Sequence, residues 1–391
     1  MNSLKKKDIF IEDRLEGRLS QNLYRRLKTT RPLSGVEVDV EGRRMLNFCS
    51  NDYLGLSRHP LLEERAIEYL QIYGSGSTAS RLVCGNYDCF EKVEKRIAGL
   101  AEYESALIFN SGFQANVSLL PALADRDTLI LSDRLNHNSI IQGTLLSRCR
   151  IKRFRHNDMN HLEDLLRENR DNGDSRILVV TESVFSMDGD QSDIDTLVRL
   201  NEEYGALLIV DEAHGIGVLG KKGMGLTSGK GVDIVMGTMG KALGSFGAYI
   251  ASSSKMREYL INFCYGLIYS TALPPSVIGS MDAALELIPT MDKERHDLLS
   301  KAAVFRSSLN ELGYNTGKST TQIIPVIIGD EGDAMDLSKW LEDNNILTMT
   351  FRYPTVAQGE SRIRLSLSAA HTQEHLERVI DLFKKWRDKK Y

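Results

Sequence analysis

Residues 231–247 read GVDIVMGTMGKALGSFG. A short apolar run leads to Thr238. Lys241 follows, with four glycines between positions 236 and 247 and no other charge in that window. Lysine is almost never fully buried unless it is paired. A lysine just past a buried strand is therefore either a side chain whose head reaches water while its stem lies on apolar surface, or a reactive amine.

The surrounding sequence repeats the strand pattern. SALIF (105–109), DTLILSD (127–133), RILVVTE (176–182), ALLIVDE (206–212), VDIVMGT (232–238) and GAYIASS (247–253) are short apolar runs. Amphipathic stretches such as NHLEDLLRENR and DIDTLVRLNEEYG lie between most of them. This alternation predicts an α/β fold with a central, mostly parallel, largely buried sheet and helices on both faces. Upstream, spaced apolar positions among charges predict a helix within residues 1–30, and GVEVDVEGRRMLNF (35–48) alternates as a hairpin about Glu41–Gly42. After about residue 280 a long helical segment leads to a smaller mixed region. The expected organisation is an N-terminal arm (1–55), a large domain (56–280) and a small C-terminal domain (281–391).

Composition narrows the function classes. The chain has 391 residues, 42% of them hydrophobic, and a formal net charge of −4, which argues against a basic nucleic-acid surface. Five cysteines without a CxxC pair read as reduced thiols of a cytoplasmic protein. The charged N-terminus has no apolar core of a secretory signal. No run of 18 apolar residues suggests a membrane span.

In open parallel sheets, ligands sit beyond the carboxyl ends of the strands. Here one predicted strand delivers Glu182 and then Ser186 (TESVFSMDGD). A second delivers Asp211 and then His214 (IVDEAHG), a third Thr238 and Lys241, and LILSDRLNHNS brings His137. Each has an ordinary reading alone: Asp211 as a helix cap or metal ligand, Lys241 as a phosphate-contacting surface lysine, the histidines as structural, Ser186 as a loop serine. Together they change the reading. Desolvation favours a neutral lysine able to attack a carbonyl. A carboxylate can hold a pyridine nitrogen protonated. NSGFQANVSLL (110–120) offers a glycine turn opening a helix, suited to phosphate. These are the parts of a pyridoxal-phosphate site.

Competing motifs fail on spacing. DEAH also occurs in helicases, but neither GLTSGKG nor GTMGKA forms the required GxxxxGK[ST] loop. GSGSTA (74–79) follows a helical pattern, whereas a dinucleotide turn follows a strand. CGNYDC (84–89) has no partner at zinc spacing.

NSGFQAN, TESVFSMDGD, DEAHGIGVLG, GTMGKALG and SRIRLSLSAAHT, five separated motifs in the right order along the chain, resemble the α-oxoamine synthases, a branch of the fold type I pyridoxal-phosphate enzymes. The likeness runs from LNFCSNDYLGLSRHP to the last helix. The resemblance implies the following roles. Lys241 bonds covalently to pyridoxal 5′-phosphate and later moves protons. Asp211 pairs with the ring nitrogen, His214 with the ring's phenolic oxygen, and His137 stacks on the ring face. Glu182, Ser186, Thr238 and the Gly112–Phe113 backbone hold the cofactor and its phosphate. Ser270 and Thr271 of YSTALPP reach that phosphate across a homodimer. Arg364 grips the amino acid's carboxylate, with Asn51 and Thr355 near the substrates. Arg25 or Arg26 meets the far carboxylate of the acyl group. The implied reaction joins an amino acid to an acyl thioester with loss of CO2, with no metal. FRYPTV (351–356) and GSTASRLVCGNYD (76–88) favour L-alanine with pimeloyl-CoA or a pimeloyl-carrier protein. Glycine with acetyl-CoA, or serine with a long-chain acyl-CoA, remain open alternatives.

Overall fold

The computed structural model of the protein describes residues 2–21, 23–171 and 176–390. Helix Asn2–Ser20 precedes three strands, β1 (Thr30–Pro32), β2 (Glu37–Val40) and β3 (Arg43–Asn47). β2 and β3 form the expected antiparallel hairpin. The central strands are β4 (Ser105–Phe109), β5 (Thr128–Asp133), β6 (Arg150–Phe154), β7 (Arg176–Glu182), β8 (Leu207–Asp211), β9 (Ile234–Thr238) and β10 (Ala248–Ser252). The C-terminal strands are β11 (Ile323–Gly329), β12 (Ile346–Leu347), β13 (Met349–Phe351) and β14 (Ser361–Ser366).

The central sheet runs β4-β10-β9-β8-β7-β5-β6. Its neighbours from β9 to β6 pair in parallel, while β10 runs antiparallel to both β9 and β4. Both faces are covered, which explains the uninterrupted apolar runs. Leu178, Val180 and Ile209 pack into one layer, and Val179, Leu208 and Val210 into the opposite one. β6, RIKRF, is an edge strand whose first two residues are exposed, so it lacked the apolar signature of the other six.

The expected long helix beyond residue 280 is two helices, Pro275–Leu287 and Asp292–Glu311, separated by a tight turn at Ile288–Thr290. Proline cannot continue the hydrogen-bond ladder of a helix interior, and Pro289 lies at that break. β11, β14 and β13 form an antiparallel sheet. β12 instead pairs in parallel with β3, so the N-terminal strands and the C-terminal region share one sheet. Among the described residues no helix is long and apolar enough to cross a membrane.

One close contact positions the site. Helix Gly112–Leu123 packs against helix Asn138–Ser147. A Cβ on Gly143 would lie 2.5 Å from the Asn116 carbonyl oxygen and 3.1 Å from Val117 Cα. Only glycine lets the two backbones approach this closely. Gly143→Ala is expected to push the helices apart, costing about 1–3 kcal/mol, and to disturb the Asn116 side chain described below. Denaturant titration of the variant checks this. An unchanged unfolding midpoint would contradict the packing argument.

Candidate active site

The ends of the parallel strands line up. Glu182 on β7 pairs in register with Asp211 on β8, and Asp211 with Met236 on β9, two residues before Thr238. Glu182, Asp211 and Thr238 are all buried, so the three predicted strand ends meet on one rim.

The turn after β9 is laced to itself. Thr238 Oγ1 donates to the Gly247 carbonyl (3.1 Å) and accepts from the Gly240 N–H (3.2 Å). The Gly244 N–H donates to the Lys241 carbonyl (2.9 Å). Gly244 has φ +64°, and a Cβ there would lie 2.4 Å from the Leu56 carbonyl carbon. That position needs glycine for both reasons. The glycines around Lys241 thus let other segments close in on the turn while it presents one amine.

Lys241 Nζ lies 2.8 Å from His214 Nε2. Burial lowers its pKa to about 8, helped by the Arg364 charge and opposed by Asp211 and Glu182. His214 is buried, and burial together with the Lys241, Arg364 and His137 charges holds its pKa well below the usual imidazole range. It is a neutral ring. Its Nδ1 lies 2.7 Å from the Tyr53 hydroxyl. That hydroxyl is 3.0 Å from Asn51 Oδ1, and Arg364 Nη2 donates to both, at 3.2 and 3.0 Å. Arg364 is buried on β14, and its Nε has no hydrogen-bond partner. A buried guanidinium N–H without an acceptor is a ready place for a carboxylate.

Asp211 is held from two sides. Asn116 Nδ2 donates to Oδ2 and the Ala213 N–H to Oδ1, at 2.9 and 2.8 Å. Asn116 also donates to Ser139 Oγ (2.9 Å), which lies 2.8 Å from His137 Nδ1. His137 caps helix Asn138–Ser147 and is itself exposed. Desolvation and the Lys241 charge depress its pKa. Its backbone N–H donates to Glu182 Oε1. Burial and the Asp211 charge raise the Glu182 carboxyl well above its usual range, and Glu182 orients the His137 loop through this hydrogen bond.

Two further groups brace this rim. Glu212 accepts from Ser183 Oγ (2.5 Å) and the Thr227 N–H (2.7 Å), and burial pushes its pKa up to about 7. His156 bridges Asp133 (3.1 Å) and Asp190 (2.8 Å). Burial opposes its charge, but the two carboxylates outweigh burial and raise it to about 9. This imidazolium ties the loop leading to His137 to the loop carrying Ser186.

The remaining sequence candidates are more scattered. Gly112 and Phe113 open helix Gly112–Leu123, and Ser111 Oγ caps it by accepting from the Gln114 N–H (3.1 Å). The first N–H groups of a helix lack intrahelical acceptors and favour anions. Ser270 accepts from Gln114 Nε2 (2.6 Å) and the Thr271 carbonyl from Asn110 Nδ2 (3.0 Å) within the same chain. Ser186 is half-buried. Thr355 sits on an exposed turn, bonded through its N–H to the Arg352 carbonyl. Arg25 and Arg26 are exposed. Sequence reasoning missed Tyr53 and Asn116. The one available signal for Asn116 was a polar residue on the apolar side of QANVSLL.

The donor set fits a phosphate-bearing aromatic aldehyde. It combines a desolvated amine, a buried carboxylate on the adjacent strand, a capped helix N-terminus and a buried guanidinium whose Nε has no partner. The chain belongs to the aminotransferase class I and II family, whose pattern matches residues 43–383, and within it to the α-oxoamine synthases. It is 46% identical over 366 residues to 8-amino-7-oxononanoate synthase of Geobacter sulfurreducens, covering 92% of this chain and 93% of that one. A Desulfosudis oleivorans relative, given the same name provisionally, is 56% identical over 378 residues, covering 97% and 98%. The serine palmitoyltransferase structure of Sphingomonas wittichii superimposes with a TM-score of 0.90 at 30% identity, covering 98% of each chain.

In the apoprotein the rate of amine modification at Lys241 should rise with pH about a midpoint near 8, because only the neutral amine reacts. Peptide mapping after reaction across the pH range reads it. A midpoint at the ordinary lysine value near 10.5 would contradict the buried environment.

Proposed function

We propose that the chain condenses L-alanine with a pimeloyl thioester, pimeloyl-CoA or a pimeloyl-carrier protein, giving 8-amino-7-oxononanoate, CO2 and the free thiol in biotin biosynthesis. The observation that carries this reading is Lys241, held at its His214 contact between buried acids and a free arginine edge. The choice within the family rests on relatives of that name at 46% identity, against 30% for the serine-using structure.

When bound, pyridoxal 5′-phosphate supplies an aldehyde for the amine and a ring that takes up the electron pair left at the amino acid's α-carbon. Lys241 would hold it covalently, and as a free amine its lowered pKa would suit it to move the α-proton near neutral pH. Asp211, fixed by Asn116 and the Ala213 N–H, holds a proton on the ring nitrogen. The Gly112–Phe113 end of the helix, with Thr238 and Ser186, carries the phosphate. His137, held by Ser139 and Glu182, would lie against the cofactor and could donate to the thioester carbonyl. Arg364 Nε takes the alanine carboxylate, and Arg25 or Arg26 with Thr355 receives the far end of the acyl chain. Biosynthetic chemistry of this kind and five cysteines without a CxxC pair are consistent with a cytoplasmic enzyme.

The active form is a homodimer. Tyr265 and Tyr269 lie just before the Ser270–Thr271 segment and are widely exposed, as a surface covered by a second copy would be. Sedimentation should give twice the 43.9 kDa chain mass.

A panel of alanine, glycine and serine against acetyl-, pimeloyl- and palmitoyl-CoA, read by product mass, tests the reaction. Alanine with the pimeloyl donor should dominate. Preference for glycine with acetyl-CoA, or serine with palmitoyl-CoA, would move the protein to a sister activity. Arg364→Ala should raise the KM for alanine by about 10–100-fold, the worth of a charge-assisted carboxylate contact, with kcat less affected. Unchanged KM would remove Arg364 from that role.

A further inference from the structure

We propose that Tyr53 is a positioning residue: its hydroxyl, able to donate or accept, completes whichever tautomer of His214 the amine of Lys241 selects, and so links that amine to the carboxylate-binding edge of Arg364. This rests on the reading of Arg364 and Lys241 given above, but it concerns hydrogen bonds already present in the apoprotein.

The argument is a count of hydrogens. Tyr53 is fully buried. Burial pushes its pKa up to about 12, so the phenol keeps its single proton throughout the working range. Four groups face that oxygen: His214 Nδ1 (2.7 Å), Asn51 Oδ1 (3.0 Å), Arg364 Nη2 (3.2 Å) and the Gln322 side-chain amide, which like the arginine acts as a donor toward it. Arginine only donates and the amide oxygen only accepts. The phenolic proton therefore goes either to Asn51 or to His214.

The far side of the imidazole selects between these. While Lys241 is an ammonium, its Nζ donates to His214 Nε2 across 2.8 Å. The ring proton must then sit on Nδ1 and point at the Tyr53 oxygen, and the phenolic proton turns to Asn51. When the amine becomes neutral it can accept instead. The ring proton can then move to Nε2, and the phenol donates to Nδ1. Asn51 Oδ1 loses one donor and is left to Arg364 Nη2 alone (3.0 Å). The orientation of the arginine thus follows the state of the amine, with no net charge moved between them. Phenylalanine would fill the same space but leave a buried ring nitrogen without a partner, which is costly.

Other charges face the same groups. Asp211 and Glu182 favour the ammonium form of Lys241, while Arg364 opposes it. Lys241, Arg364 and His137 all disfavour a charged His214. The ring therefore stays neutral and changes tautomer. Gln322 Nε2 fixes it from behind by donating to the His214 carbonyl (3.0 Å).

The test uses apoprotein labelled with ¹⁵N-histidine, with the His214 signals assigned through His214→Gln. In the wild type, the ring proton should sit on Nδ1 at pH 6.5 and shift toward Nε2 as pH rises through about 8. In Tyr53→Phe, checked for folding by thermal unfolding, the Nδ1–H form should be less populated at pH 6.5 than in the wild type. The Lys241 modification midpoint should fall by about half to one pH unit, the worth of one hydrogen bond. In the cofactor-loaded enzyme, KM for alanine should rise about 3–10-fold with kcat less changed. A wild-type tautomer that does not change between pH 6.5 and 9.5 overturns the proposal, even if the variant does not fold. So does a folded Tyr53→Phe protein with wild-type tautomer and amine midpoint. Failure to take up pyridoxal phosphate would instead refute the proposed reaction, leaving the apoprotein measurements to decide the role of Tyr53.

Discussion

The contact between the Lys241 amine and the His214 ring is the constraint from which the other features follow. An amine taken out of water loses its preference for the charged form, yet it still needs a hydrogen-bond partner. His214 provides that partner without adding charge, because it is neutral in its own buried place. The turn that presents Lys241 closes against Leu56 and Ser57, the start of the segment just after Tyr53. The strand bearing Asp211 is the same one that leads into His214. Sheet register, turn chemistry and the N-terminal segment therefore all serve one short hydrogen bond.

The acids around this amine have divided roles. Glu182 and Asp211 sit side by side on adjacent strands, and both favour the ammonium form of the lysine. Glu182 spends its carboxyl on the His137 backbone, whereas Asp211 is fixed by Asn116 and a backbone N–H. Glu212, next to Asp211, faces away and holds the loop at Thr227. Adjacent or paired carboxylates in one small region thus act as an electrostatic partner, a loop anchor and a structural latch. What separates them is the hydrogen-bond donors each one meets.

Much of this was legible in the sequence because buried parallel strands are apolar throughout and end abruptly in a polar residue. RILVVTE, ALLIVDE and VDIVMGT marked both their strands and the rim residues Glu182, Asp211 and Thr238. The edge strand β6 was not legible, since alternating charges on a half-exposed strand resemble a loop. The reversed direction of β10 was invisible because GAYIASS is as buried as its parallel neighbours. Tyr53 and Asn116 escaped for a different reason. They reach the site from distant elements, and a buried phenol or amide has no local pattern that separates it from an ordinary core residue. Arg364 was recognisable by motif, but its free Nε edge depends on Asn51 and Tyr53, more than 300 positions away in the chain.

Borohydride reduction of the protein loaded with pyridoxal phosphate, followed by peptide mapping, tests the central claim most directly. The account predicts a single stable cofactor adduct on the peptide carrying Lys241, and none after Lys241→Ala, in which turnover should also fall by at least about 10²–10⁴-fold. An adduct mapped to another lysine, or none at all on a folded and cofactor-saturated protein, would contradict it.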